Sequence, residues 1–452
     1  MAKVFPFRGV TYSKARFGSD LTNLITQPYD KITPEMQEEY YKRSPYNFIR
    51  IVLGKRFPND DEYYNQYTRG AGYLQWWLED GIMEIHEKPA IYVYHQEFKV
   101  GDEIKVRQGF VALAELEPPG KGVKAHEKTL AGPKADRLNT MRHTRAQLGH
   151  IFMLYSDPKN QVDSVLSAAI EGRQPDYSAR DWFGNNHYIW AVTDESVIRE
   201  VQMLMSDKVL FIADGHHRYE TAVNYWLECE KKGLKPAPDA TETFRNRMMT
   251  FVCMENPGLV VLPTHRVVHS IKGFDLQAFI SKVTENFDVE KIDVPGADHA
   301  PKVFDESMKK LRELGEQGKH AFLFVPSKAQ SYYLLVLKDE SIMDKAISKP
   351  VSSVWKRLDV SILHKLILED ILGIDAKALE EKRNLYYIRE PEKGFEHMEK
   401  NPDVVGVFFM NPTKVSEVKQ IANLGERMPQ KSTDFYPKLV SGLVINKLRF
   451  AD

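Results

Sequence analysis

Short apolar runs bounded by polar turns recur along this chain, and between them lie stretches whose apolar residues return at helical spacing. The runs 91–98 and 104–113 flank Gly101-Asp102 and predict a β-hairpin. Further strands are expected at 151–155, 187–193, 208–213, 248–254 and ending at 260–266, and segment 44–53 leads from a loop into another. Amphipathic spacing predicts helices over 60–80, 135–147, 194–206, 216–231 and 274–287. Beyond them the alternation resumes, with helices at 302–317, 358–372 and 414–424 and strands at 320–325, 331–337 and 403–410. This is the pattern of an α/β chain of mixed α+β character. The Pro- and Gly-containing stretch 295–301 is the expected boundary between an N-terminal lobe, 1–294, and a smaller α/β C-terminal lobe, 295–452.

One junction concentrates chemistry. The apolar run ends at Asp214-Gly215, and His216, His217 and Arg218 open the next helix. A helix N-terminus presents unpaired N–H groups and partial positive charge, which suits an anion such as phosphate. Gly215 lets backbone approach a ligand closely. Asp214 is therefore a candidate base toward a hydroxyl, or a ligand for a magnesium ion that bridges phosphates. His216, His217 and Arg218 are candidate donors to phosphate oxygens. The structural alternative is that Asp214 caps the helix and the histidines are solvated.

A second polar constellation lies in the long segment 117–137, which carries Glu127, Lys128, Lys134, Asp136 and Arg137. Lys128, Lys134 and Arg137 would hold phosphates; Glu127 or Asp136 would partner Asp214, with Asp136 also a candidate metal ligand. A solvated charged loop is the competing reading. His265 and Arg266, just after an apolar strand, are further candidate phosphate contacts, and Lys438, in a Pro-rich C-terminal loop expected to be ordered near a site, could close over an anion, with a surface lysine as the competing reading. Asp30, Asn47 and Arg50 read more as turn residues than as substrate contacts.

Composition changes this picture little. A net charge of −1 over 452 residues implies no general attraction to nucleic acid or to acidic membranes. Two cysteines, no apolar run of spanning length and no signal-type N-terminus fit a soluble cytoplasmic protein. Walker A, G-x-G-x-x-G, kinase, G-x-S-x-G and C-x-x-C patterns are all missing from the sequence.

The Asp214-Gly-His-His-Arg218 turn resembles the signature turn of the free-serine kinases of the ParB/sulfiredoxin-like superfamily. Gln27-Pro-Tyr-Asp30, the segment 44–50, Gly132-Pro-Lys-Ala-Asp-Arg137, Leu262-Pro-Thr-His-Arg266 and Met428-Pro-Gln-Lys-Ser-Thr extend the resemblance to a large bacterial and archaeal family, long labelled a domain of unknown function, whose members are known as pyrophosphate-dependent serine kinases. The resemblance implies a ParB/sulfiredoxin-like catalytic core elaborated into the larger N-terminal lobe. It also implies phosphoryl transfer from pyrophosphate, or a nucleotide, to free L-serine with Mg2+. In that reading Asp214 activates the hydroxyl or holds magnesium, His216, His217 and Arg218 bind the donor, and Glu127 supplies the base. A ParB-like nucleotide-binding regulator without turnover and a metal-dependent phosphohydrolase are the alternatives.

Overall fold

The computed structural model describes residues 3–117, 123–124, 131–328, 330–375, 378 and 383–451. The chain divides into two compact units, one formed by residues 1–260 with 435–452 and the other by residues 261–434. The stretch 295–301 thus lies inside the second unit rather than between lobes. The physical reason is strand pairing: Phe287–Asp293, before it, pairs along its whole length with Ser331–Leu337, after it.

The first unit is built on a mixed sheet. Its strands in chain order are β1 (Val4–Phe5), β2 (Ile91–Val100), β3 (Glu103–Glu115), β4 (Val123–Lys124), β5 (Ile151–Tyr155), β6 (Tyr177–Arg180), β7 (Asn186–Val192), β8 (Leu210–Asp214) and β9 (Asn246–Cys253). Across the sheet they run β4-β8-β5-β9-β3-β2-β7-β6, with β1 paired to β3. The β2–β3 hairpin is the one expected from Gly101-Asp102, and Gly101 takes the left-handed conformation its turn needs. Central strands are apolar on both sides: every residue of β5 is buried. Helices α1 (Gln66–Glu79), α2 (Ala131–Thr144) and α3 (His216–Lys231) belong to this unit. α1 begins at an Asn65–Thr68 capping box. Tyr219, Ala222 and Val223 of α3 pack into the same core as Ile151, Met153 and Ile212.

Segment 49–52, expected as a strand, is a short helix. The Asn47 side chain accepts the Ile49 N–H at 3.0 Å and closes a turn there, so local side-chain bonding overrides the β-branched propensity.

In the second unit, β10 (His265–His269), β11 (Phe287–Asp293), β12 (Ala321–Pro326), β13 (Ser331–Leu337), β14 (Leu385–Ile388) and β15 (Val404–Met410) form an antiparallel sheet in the order β11-β13-β12-β15-β10-β14. Its central strands are buried on both faces. Along β15, Phe408 enters one apolar cluster and Phe409 the other. The helix expected at 358–372 begins as α-helix at Asp359–Ile362 and widens into a π-helical turn over Leu363–Glu369.

Candidate functional site

β8 pairs antiparallel with β5, and the register shifts between Ile212 and Asp214. Such a bulge re-aims the side chain that follows it. The chain then turns through Gly215 at φ 93°, ψ 27°, a left-handed conformation that a side chain would strain. A Cβ at Gly215 would also stand 3.0 Å from Arg218 Nε, so the bare glycine makes room for the guanidinium that folds back over it.

Arg218 is the pivot of the site. Its Nη2 donates to Asp214 Oδ2 at 2.9 Å, and its Nη1 donates to the His150 carbonyl. Asp214 Oδ1 faces Lys438 Nζ at 3.8 Å. Burial alone would raise the Asp214 pKa. Lys438 and Arg218, with smaller contributions from Lys31 and His216, outweigh it and hold the carboxyl well below the usual carboxylate range. Asp214 is therefore an ionised carboxylate at neutral pH. It does not cap α3, since no side chain caps that helix.

Lys438 is delivered by a loop that a buried cation fixes. The Arg107 guanidinium, 1% exposed, donates to the carbonyls of Tyr436 at 3.1 Å and Pro437 at 2.5 Å and to Gln96 Oε1 at 3.0 Å through Nε. Gln96 Nε2 in turn donates to the Lys438 carbonyl at 3.1 Å. The expectation of an ordered C-terminal loop thus has a concrete basis in β2 and β3.

The histidines differ in setting. His216 is buried and His217 half-buried. Burial pulls His217 below its ordinary value, helped by Lys134 and opposed by Glu220, Asp30 and Asp214, so the imidazole is mostly neutral near pH 7. Lys134 pairs with Glu220 of α3 at 2.8 Å, tying α2 to α3 beside the turn. Arg137 donates to the Val52 carbonyl at 2.9 Å and lies over the Tyr29 ring at 4.0 Å. Asp136 accepts from Tyr67 Oη at 2.7 Å, Arg137 Nε at 2.8 Å and Gln66 Nε2 at 3.3 Å, with Arg56 at 3.5 Å. Its oxygens are occupied by these donors. Asp136 therefore braces Arg137, and it does not offer the free lone pairs of a metal ligand.

The turn, α2 and the C-terminal loop converge within the first unit, as does Tyr29 from the Gln27–Asp30 segment. Glu127 and Lys128 lie outside the described residues. His265 and Arg266 belong to the second unit, where they are spent internally. Arg266 donates to the Thr264 carbonyl, to Lys431 O at 3.0 Å and to His364 Nε2 at 3.4 Å, while His265 Nδ1 accepts the Met410 N–H at 3.3 Å. Asn47 and Arg50 serve backbone groups: Arg50 bonds the nearby Ser44 and Tyr41 carbonyls, while Asn47 closes its own turn and ties it to the distant Asn23 carbonyl.

Three residues escaped the sequence reading. Lys31 adds positive charge at Asp214. Arg107 and Arg247 are cations buried within strands, 1% and 2% exposed. That placement was the available signal, because a charge is buried in a strand only where something pairs with it. Arg247, Arg218 and Arg137 share the wall of a small pocket, with a cavity volume of about 40 Å³, together with Tyr29, Gly149 and Ser441.

Fold and site together define a mixed α/β protein whose strand-to-helix turn holds an ionised carboxylate among cations. The chain belongs to the DUF1015 family, described as a protein of unknown function, whose model matches residues 4–361. No curated protein matches the chain. Among solved structures, a free serine kinase mutant in complex with AMP shares 13% identity at a TM-score of 0.33, covering 70% of this chain and 84% of that one. A second mutant of free serine kinase, in complex with ADP, shares 14% identity at a TM-score of 0.32, covering 70% and 84%. SbnI with a C-terminal truncation from Staphylococcus aureus shares 11% identity at 0.32, covering 75% and 87%. No helix among the described residues is long and apolar enough to cross a membrane. Cys229 and Cys253 are both buried free thiols.

Proposed function

We propose that this protein is a phosphotransferase that moves a phosphoryl group from pyrophosphate, or from a nucleotide, to the hydroxyl of free L-serine, giving O-phospho-L-serine. The observation that carries the reading is Asp214, a carboxylate kept ionised between Arg218 and Lys438 at the start of a long helix. The motif resemblance supplies serine as acceptor.

Phosphoryl transfer depends on positioning and on charge neutralisation more than on covalent help from the protein. The first turn of α3 and the cations around it would receive the donor phosphates. Asp214 would accept a hydrogen bond from the serine hydroxyl and aim its oxygen at phosphorus. As the new O–P bond forms, the donor P–O bond breaks and its oxygen leaves with phosphate from pyrophosphate, or with the shortened nucleotide from a nucleotide donor. The serine proton passes to a nearby base, for which the mostly neutral His217 is better matched than the strongly acidic Asp214.

Magnesium chemistry would require a fitting donor set. Among the described residues Asp136 is already fully engaged and Asp214 faces two cations, and no group of three or more His, Cys, Asp or Glu is arranged to hold a metal. These residues do not by themselves fit a protein-held Mg2+, so no step is routed through one.

The test is purified protein with magnesium and serine, given pyrophosphate, ATP or ADP in parallel, with phosphoserine and free phosphate both quantified. Serine-dependent phosphoserine is the expected product. Phosphate release indifferent to serine would replace the kinase reading with a hydrolase, and ligand binding without either product would replace it with a regulatory module.

A further inference from the structure

The pocket beside the turn holds polar groups that the turn does not use. Arg247, on the central strand β9, donates from Nη2 to the Gly149 carbonyl at 2.5 Å, while its Nε and Nη1 are buried with no hydrogen-bond partner among the described residues. Thr221 Oγ1, one helical turn beyond Arg218 on α3, is also buried and unpartnered. Both side chains line the same pocket as the Arg218 guanidinium. Among the described residues no carboxylate stands in its wall; Arg137 adds a third guanidinium, and the rest is Tyr29, Leu148, Met141 and other apolar or weakly polar groups.

Physically this is an unfinished arrangement. Two guanidinium groups lie near enough for each to be felt by the other, and burial with Arg218 nearby pulls Arg247 down to about 9. Buried cations and hydroxyls normally find partners, and a donor left without one costs stability. Arg247 offers an unpartnered Nε–H and an unpartnered Nη1–H, charged donors on different edges of the guanidinium that each suit an oxyanion's oxygen. Thr221 adds a donor, and Arg218 ties the pocket to Asp214.

We propose that this pocket is an oxyanion subsite, in which Arg247, Arg218 and Thr221 bind the carboxylate or phosphate group of a small-molecule substrate. Carboxylate and phosphate present the same paired oxygens to a guanidinium, and they would come from the acceptor and the donor respectively. The assignment of the group to a substrate rests on the phosphotransferase reading; the existence of the subsite does not.

Two variants test it. Arg247→Met removes the charged donors and keeps an apolar stem. Gly149→Ala places a methyl group 3.5 Å from Arg218 Nη1 and 3.6 Å from Ser441 Oγ, ordinary contact distances, and so narrows the pocket without a clash. Binding of inorganic phosphate, pyrophosphate and L-serine is measured separately by calorimetry, and each protein is melted without ligand. The expected result is that the parent protein binds at least one probe, and that both variants weaken the binding tenfold or more. Ligand-free Arg247→Met should melt at or above the parent temperature, because an unpartnered buried cation has gone. Loss confined to L-serine assigns the carboxylate, and loss confined to the phosphates assigns the donor. A parent protein that binds none of the probes, or an Arg247→Met protein that binds them all as the parent does, overturns the subsite. Weakened binding in the variants of a protein that makes no phosphoserine would leave the subsite standing and remove the kinase reading. Phosphoserine formation with unaltered binding by Arg247→Met would do the reverse.

Discussion

His150 links the stability of the first unit to pH through the same residues that hold the turn. Its ring is buried, with Nδ1 2.7 Å from Thr250 Oγ1 and Nε2 3.1 Å from the Val444 carbonyl, and its own carbonyl receives Arg218. Burial, reinforced by Arg218 and Arg247 and partly offset by the Val444 carbonyl, pulls its pKa from 6.5 to about 4. Between those values the unfolded chain binds a proton that the folded chain refuses, so stability falls as the pH drops below 6.5. At about 1.4 kcal/mol per pH unit the ceiling is roughly 3.4 kcal/mol, and at pH 5 about 2 kcal/mol of it has been lost. His150→Gln removes this titration. Its lost ring contacts lower stability at every pH, so the informative quantity is the difference between the pH 7.5 and pH 5 losses of parent and variant. Urea unfolding followed by tryptophan fluorescence reports the correct unit, since Trp76, Trp77, Trp182, Trp190 and Trp226 lie in the first and only Trp355 in the second. The parent should lose about 2 kcal/mol more than the variant over that range. Equal losses, within about 0.5 kcal/mol, would refute the assignment of a neutral buried His150.

Other expectations follow from the same structure. Asp214→Asn should cut phosphoserine formation by roughly a hundredfold or more, while the partial exposure of this carboxylate keeps the stability loss near ~1 kcal/mol; full activity would remove Asp214 from the chemistry. Lys438→Met withdraws the cation that most depresses Asp214, so this carboxyl should titrate at higher pH than in the parent, read as its side-chain carbon chemical shift against pH; an unmoved titration would show that Lys438 does not set its charge. Gly215→Ala imposes a positive φ on a side chain and pushes on Arg218, which should cost about 1–2 kcal/mol and weaken pyrophosphate binding in calorimetry. In the second unit, burial lowers the His320 pKa but Asp359 and Glu340 raise it by more. The stability it contributes is therefore present below pH 6.5 and lost as the pH rises through its folded value. His320→Gln should flatten that alkaline decline, read as hydrogen exchange of β12 corrected for intrinsic rates.

Periodicity is most informative where the backbone is governed by burial. The runs that became β5, β8, β12 and β15 are apolar because both sides of each strand face a core, and their ends fell within a few residues of expectation. The strand-to-helix turn at Asp214 was legible because Gly215 breaks one period and starts another. Long-range arrangement was not. Nothing local distinguishes the loop at 295–301 from a linker, because its role is set by the pairing of β11 with β13. Thr264, His265 and Arg266 look like a polar cluster at a strand end, yet tertiary contacts commit them to their own sheet. Lys438 could be singled out, but its partner could not, since the two are brought together by Arg107 and Gln96 from strands far away in the chain. Arg247 shows the complementary failure: its importance lies in bonds it does not make, which only the folded surroundings reveal.

The division of the first unit into residues 1–260 and 435–452 carries a consequence for biosynthesis. On a ribosome the Asp214 turn emerges long before Lys438 and Ser441, with the whole second unit translated in between. A nascent chain therefore carries the carboxylate and its arginine for much of its synthesis without the lysine opposite them. It can neither complete the charge balance around Asp214 nor close the pocket wall at Ser441. A chain stalled within residues 261–434 would thus carry Asp214 and Arg218 without the strand partners and the lysine that the last eighteen residues supply.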